Sequence, residues 1–174
     1  IQEEEKLTFI HDFNDPFVIA GQGTIGLEIL EELPDLDSLV VPMGGGGLAA
    51  GMAVAVKEMN PKIRIIGVQS EGAPALSLSF QQGTVVGTEE AKTIADGIAV
   101  KQPGDLTFEL IRRYVDDVVT VSEAEIARAI LLMLERSKLI VEGAGAVSLA
   151  ATLFGKIKVP IGPLVSLISG GNID

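Results

Sequence analysis

Four short apolar runs, SLVV at 38–41, IRIIGV at 63–68, DVVTV at 117–121 and VSLI at 165–168, are each separated from the next by at least one helix-length segment. That alternation constrains the fold more than any other feature. Antiparallel neighbours can be joined by a tight turn, whereas parallel strands need a crossover of a dozen or more residues. The runs carry few charges, as expected of strands covered on both faces. The pattern predicts an α/β fold, a doubly wound and mostly parallel sheet with helices on both faces. Helices are expected over 24–33 (closed by Pro34), 48–59, 106–114 and 144–154, with a short one at 74–82. A longer helix is expected over 123–138, opened by the capping box Ser122-x-x-Glu125. No repeat, low-complexity tract or linker interrupts the 174 residues, so 1–174 reads as one α/β domain.

Charge and residue usage narrow the function. A net charge of −11 and a pI near 4.5 leave no basic stripe for nucleic acid. Residues 38–56 carry no charge, yet Pro42 and five glycines (44–47 and 51) make a poor membrane span, and Lys57 and Glu58 end it. Without cysteine there is no disulfide, thiolate metal site or cysteine nucleophile. The acidic opening IQEEEKLT is unlike a secretory leader, and together these features fit a cytoplasmic protein. It also lacks an initiator methionine, as an internal part of a longer product would. His11 is the single histidine, so a histidine metal cluster or a Ser-His-Asp triad has no support, and it reads as a surface or strand-end residue. The runs Glu3-Glu4-Glu5 and Asp116-Asp117 read as solvated faces, and Ile130, Leu131, Leu132 and Leu134 as a core stripe.

Three glycine-rich sites remain. Gly21-Gln22-Gly23-Thr24-Ile25-Gly26 matches a dinucleotide-binding pattern, which requires a full strand before it and a carboxylate about twenty residues on. Only Val18-Ile19-Ala20 precedes it, and the next strand ends at Val41-Pro42 without a carboxylate. It reads instead as a helix start with small residues for close packing. The run Gly44, Gly45, Gly46, Gly47 follows a strand and opens a helix. Four glycines lose much conformational freedom on folding, so something must approach the backbone there. N–H groups at a helix N-terminus converge on one point, aided by a partial charge of about +0.5. Leu48-Ala49 stands where a triphosphate loop needs Lys and Ser/Thr, which favours a single phosphate monoester held by backbone. At the same sheet edge, Ser169-Gly170-Gly171-Asn172 follows the last strand and can offer a hydroxyl to the same ligand.

MGGGGLAAG, TIADGIAV, VEGAGAVSLAA and SLISGGNID, in that order and spacing, resemble the fold-type II pyridoxal-phosphate enzymes. The threonine dehydratases (threonine ammonia-lyases) are most similar, and the serine racemases are near relatives. VIAGQGTIGLEIL, GVQSE and RRYVDDVVTVSEAEI also look like this family, so the likeness spans essentially the whole chain. The resemblance implies pyridoxal 5'-phosphate as cofactor. Its phosphate would lie on the backbone of Gly44, Gly45, Gly46, Gly47 and Leu48, with Ser169 at the pyridine nitrogen and Glu142 and Gly97 near the ring. It implies an amino-acid substrate, threonine or serine, converted to 2-oxobutanoate or pyruvate plus ammonia by a homodimer or homotetramer. The family's lysine motif S-x-K-x-R-G is absent. That implies no catalytic residue here, an upstream lysine, and a chain that is the carboxyl-terminal half of the catalytic unit. Serine racemases bind a divalent ion through acidic residues where Gln69 and Ala75 stand, which argues for a dehydratase and against a metal site. The alternatives are a racemase, another elimination or replacement enzyme of the same fold, and a non-catalytic phosphate-ligand-binding domain. Gly46→Asp is expected to block the phosphate site and leave the fold intact.

Overall fold

The strands β1 (Ser38–Pro42), β2 (Arg64–Ser70), β3 (Asp117–Val121) and β4 (Leu164–Ser166) form one parallel sheet in the order β3-β2-β1-β4. These features come from a computed structural model that describes residues 2–5, 7–158 and 161–173. Leu39 pairs with Ile65 on one side and Val165 on the other, and Gly67 with Val118. The helices are α1 (Gln2–Glu5), α2 (Pro16–Glu32), α3 (Gly47–Met59), α4 (Ala75–Gln82), α5 (Asp105–Tyr114), α6 (Glu123–Leu132) and α7 (Gly143–Leu153).

Side chains alternate across each strand and sort into two cores. Leu39, Val41, Ile65, Val118 and Val165 face α2, α3, α4 and α5. Val40, Ile66, Val68, Val119, Val121 and Leu164 face α6, α7 and Ile98. The predicted doubly wound α/β class is therefore the observed one. After β1 the chain crosses one face through α3 to reach β2. It reaches β4, on the other side of β1, from α7 on the opposite face. The loops leaving β1 and β4 part at that switch point and open a crevice at the carboxyl edge.

Several boundaries and environments differ from the sequence reading. The helix expected at 24–33 begins at Pro16, where the Asp15 carboxylate accepts the N–H groups of Phe17 (2.8 Å) and Val18 (3.1 Å). Gly21, Gly23 and Gly26 therefore lie inside α2. A Cβ on Gly23 would stand 2.9 Å from the Gly51 carbonyl, and one on Gly26 2.9 Å from Val56, so these two glycines let α2 pack closely on α3. The capping box is present: the Ser122 N–H donates to Glu125 at 2.8 Å and the Glu125 N–H to Ser122 Oγ at 3.4 Å.

The helix it opens stops at Leu132, followed by a wide turn over Met133–Ser137 and by Lys138 at φ 59°. Of the expected stripe only Ile130, itself partly buried, packs on the core, beside Ile126, Ala129 and Met133; Leu132 joins neither core cluster, and Leu131 and Leu134 are about half exposed, because adjacent helical residues cannot share a face. Asp116 is not merely solvated either. It pairs with Lys57 at 2.7 Å and accepts the Ile65 N–H at 2.7 Å. Ile1, Lys6 and Asp174, and the side chain of Glu3, lie outside the described residues.

Candidate active site

The glycine run follows β1 by one residue and ends in the first residue of α3, with Gly46 as its N-cap at φ 101°. A left-handed backbone of that kind strains any residue with a Cβ. A Cβ there would also sit 2.7 Å from Ile111 Cδ1 and 3.0 Å from Leu76 Cδ1. Gly46→Asp would therefore disturb the fold, which corrects the expectation drawn from sequence. Ala50 makes the first helical bond, to the Gly46 carbonyl at 2.8 Å. Among the described residues, the N–H groups of Gly44, Gly45, Gly46, Gly47 and Leu48 have no protein acceptor.

These residues line a cavity of about 240 Å³ at the switch point, together with Gly97, Glu142 and Ser169. All eight residues singled out from sequence are thus brought to one cavity. Gly97 lies in the single turn Asp96–Ile98. Glu142 is the N-cap residue of α7, yet its carboxylate caps no helix N–H. It lies instead against Gly170, whose carbonyl accepts the Glu142 N–H at 3.2 Å; a Cβ on Gly170 would collide with that carboxylate. Ser169 is exposed to the cavity, and among the described residues its hydroxyl has no partner. The cavity accordingly has a backbone-donor end at α3 and a hydroxyl and carboxylate end at Ser169 and Glu142. A phosphate monoester suits the first, and a weakly basic ring nitrogen suits the second.

Sequence reasoning missed Phe13, whose ring packs on Gly45 and whose backbone packs on Gly47. The turn that delivers Phe13 is set by His11, which lies in no strand. Its Nδ1 accepts the N–H groups of Phe13 (3.3 Å) and Asn14 (3.2 Å), and its ring meets Phe13 edge-on at 4.5 Å. Sequence reasoning also missed how the wall carrying Gly97 is fastened. Glu123 accepts hydrogen bonds from Ser70 Oγ (2.6 Å) and from the Ile94 N–H (2.7 Å), tying the loop before Asp96 to the end of β2. Burial pushes the Glu123 carboxyl up, but hydrogen bonds from Ser70, Ile94 and Thr93 outweigh it and hold the group below the ordinary carboxylate value. Gln69 is buried, and its carbonyl accepts the Ser77 N–H at 2.6 Å. Among the described residues no three His, Cys, Asp or Glu side chains gather to hold a metal ion. Among the described residues no lysine lines the cavity.

Residues 1–170 match the family of pyridoxal-phosphate dependent enzymes. The chain belongs to that family. It is 56% identical over 174 residues to the L-threonine ammonia-lyase of Thermotoga maritima, covering all of this chain and 43% of that protein. To the catabolic L-threonine dehydratase TdcB of Escherichia coli strain K12 it is 52% identical over 176 residues, covering all of this chain and 54% of TdcB. Among solved structures it is similar to a T.th. threonine deaminase (TM-score 0.95, 41% identity, covering 99% of this chain and 63% of that one). It is also similar to maize serine racemase (TM-score 0.94, 38% identity, covering 99% and 54%). The chain spans about half the length of the curated relatives it matches.

Proposed function

We propose that this chain supplies the phosphate cup and the ring-nitrogen partner of a pyridoxal-phosphate-dependent threonine ammonia-lyase. The reaction is elimination of water from L-threonine followed by hydrolysis of the released enamine, a net loss of ammonia that gives 2-oxobutanoate, and by the same route pyruvate from L-serine. The observation that carries this reading is one cavity at the β1/β4 switch point, lined both by the glycine run and by Ser169, whose N–H groups and hydroxyl have no partner among the described residues. The names of the relatives, threonine ammonia-lyase and threonine dehydratase, support it.

The residues present fit the cofactor. N–H groups of residues 44–48 would hold the phosphate, Ser169 the pyridine nitrogen, and Gly97 would leave room beside the ring, with Glu142 across from it. When bound, pyridoxal phosphate supplies the electron sink for the pair left as the substrate Cα–H bond breaks. Ser169 tunes that sink by being neutral. A carboxylate in its place would stabilise a protonated ring nitrogen, whereas a hydroxyl does so much less. Weak stabilisation favours prompt loss of the β-hydroxyl over transamination. Gln69 and Ala75 offer an amide and a methyl where a hard divalent cation needs carboxylates, which favours the dehydratase over the racemase.

Since among the described residues no lysine lines the cavity, the lysine that carries the cofactor is expected from another part of the complete protein. By the same reading 1–174 is part of the cofactor domain, and the complete protein works in the cytoplasm as a homodimer or homotetramer. No described helix is long and apolar enough to cross a membrane.

Incubating the complete protein with pyridoxal phosphate and L-threonine, and separately with L-serine, tests the proposal. Ammonia and 2-oxobutanoate in equal amounts are expected. D-serine from L-serine without ammonia would point to the racemase, and binding without any product to a non-catalytic domain. Turnover by residues 1–174 alone would show that the lysine has been misplaced.

A further inference from the structure

The glycine run does not set its own orientation. Thr107, on α5, is fully buried, and its Oγ1 donates to the Gly45 carbonyl at 2.7 Å, with the Gly104 carbonyl at 3.0 Å as a weaker second acceptor. Gln69, at the end of β2, is also fully buried, and its amide nitrogen approaches the Gly44 carbonyl at 3.5 Å. A trans peptide directs its C=O and its N–H to opposite sides, and the described chain contains no cis peptide. A Gly45 carbonyl drawn towards Thr107 thus turns the Gly46 N–H away from α5. A Gly44 carbonyl drawn towards Gln69 turns the Gly45 N–H away from β2. All four glycines line the cavity and neither Thr107 nor Gln69 does, so away from these side chains is into the cavity.

Thr107 is itself held in place from outside. Asn14 Oδ1 accepts the N–H groups of Leu106 (3.1 Å) and Thr107 (3.3 Å), capping the first turn of α5 from more than ninety residues away in sequence. The preceding residue, Phe13, packs on Gly45 and Gly47. One short segment therefore fixes both the outer face of the loop and the helix that pulls on its carbonyl.

We propose that Thr107, assisted by Gln69, is a positioning residue that aims the Gly45 and Gly46 N–H groups at a phosphate monoester. The proposal rests on the phosphate-cup reading above. In the complete protein, the affinities for pyridoxal 5'-phosphate and for pyridoxal are compared. Their ratio cancels every contact the two ligands share and isolates the phosphate. Wild type should prefer the phosphorylated ligand strongly. Thr107→Val, which removes the hydroxyl and keeps the branched shape, should lower the ratio by about tenfold or more, the order of one oriented hydrogen bond to a charged group. Thr107→Ser should keep it within about threefold, because the donor remains. If Thr107→Val does not fold, Thr107→Ala against Thr107→Ser carries the same comparison. A Val variant with a lowered melting temperature and an unchanged ratio would overturn the positioning role and leave the cup standing. So would a Ser variant that loses as much as Val. A wild-type ratio near one would overturn the cup itself, and the inference with it.

Discussion

Replacing Gly46 by alanine should destabilise the protein, and replacing Gly21 by alanine should stabilise it, although the chemical change is identical. At Gly46 the backbone has φ 101°, and a Cβ would stand 2.7 Å from Ile111 Cδ1 and 3.1 Å from Thr107 Cβ. Holding a non-glycine residue in that conformation costs about 1–3 kcal/mol. Forcing a methyl into a filled core costs about 1–3 kcal/mol more. The sum, about 2–6 kcal/mol, is a large share of a total stability on the order of 5–15 kcal/mol. At Gly21, in the exposed middle of α2, a Cβ meets nothing within 4 Å. Only the helix preference for alanine remains, worth about 0.5–1 kcal/mol in favour of the variant. Equilibrium urea unfolding of the three proteins measures both, as shifts of midpoint at constant slope. A loss below about 1 kcal/mol for Gly46→Ala would refute the claim that this glycine is required by strain and contact together.

Other perturbations follow from the same geometry. Asn14→Ala should cost about 0.5–2 kcal/mol by unfolding, the value of a lost helix cap, and a neutral result would show that α5 is capped otherwise. Glu123→Gln should lower stability at neutral pH. Because the folded Glu123 carboxyl titrates below its ordinary value of 4.5, its contribution is present above that pH and is lost as pH falls through the folded value. The gap between wild type and Glu123→Gln should therefore shrink below pH 4.5, and a constant gap would contradict the assignment. In the complete protein, Ser169→Ala should keep cofactor but slow elimination, while Ser169→Asp should divert substrate to side reactions. Unchanged rates in both would remove Ser169 from the ring nitrogen.

Much of this architecture is written locally, and so is legible in the sequence. The apolar runs and their helix-length spacing specify a parallel sheet, and the glycine run and Ser169-Gly170-Gly171 specify what stands at its carboxyl edge. The start of α2 was equally local, an Asp15 cap before Pro16, but three glycines downstream drew the boundary to residue 24. The end of α6 was not local. MLERSKLI contains only residues that a helix accepts, yet α6 gives way after Leu132 to a wide turn that closes at Lys138, in a left-handed conformation that non-glycine residues seldom adopt. Nor could Asn14, Phe13, Thr107 or Glu123 be read as site residues. Each acts through contacts dozens of residues away, which leave no spacing pattern in the chain.

If one cavity takes a phosphate on glycine N–H groups and a pyridine nitrogen on Ser169, a crystal structure of the complete protein with pyridoxal phosphate will show both. Phosphate oxygens are expected within hydrogen-bonding distance, about 2.7–3.2 Å, of the N–H groups of residues 44–48, and the ring nitrogen at the same range from Ser169 Oγ. Phosphate density away from the glycine run, or a ring nitrogen facing any group other than Ser169, would contradict that placement.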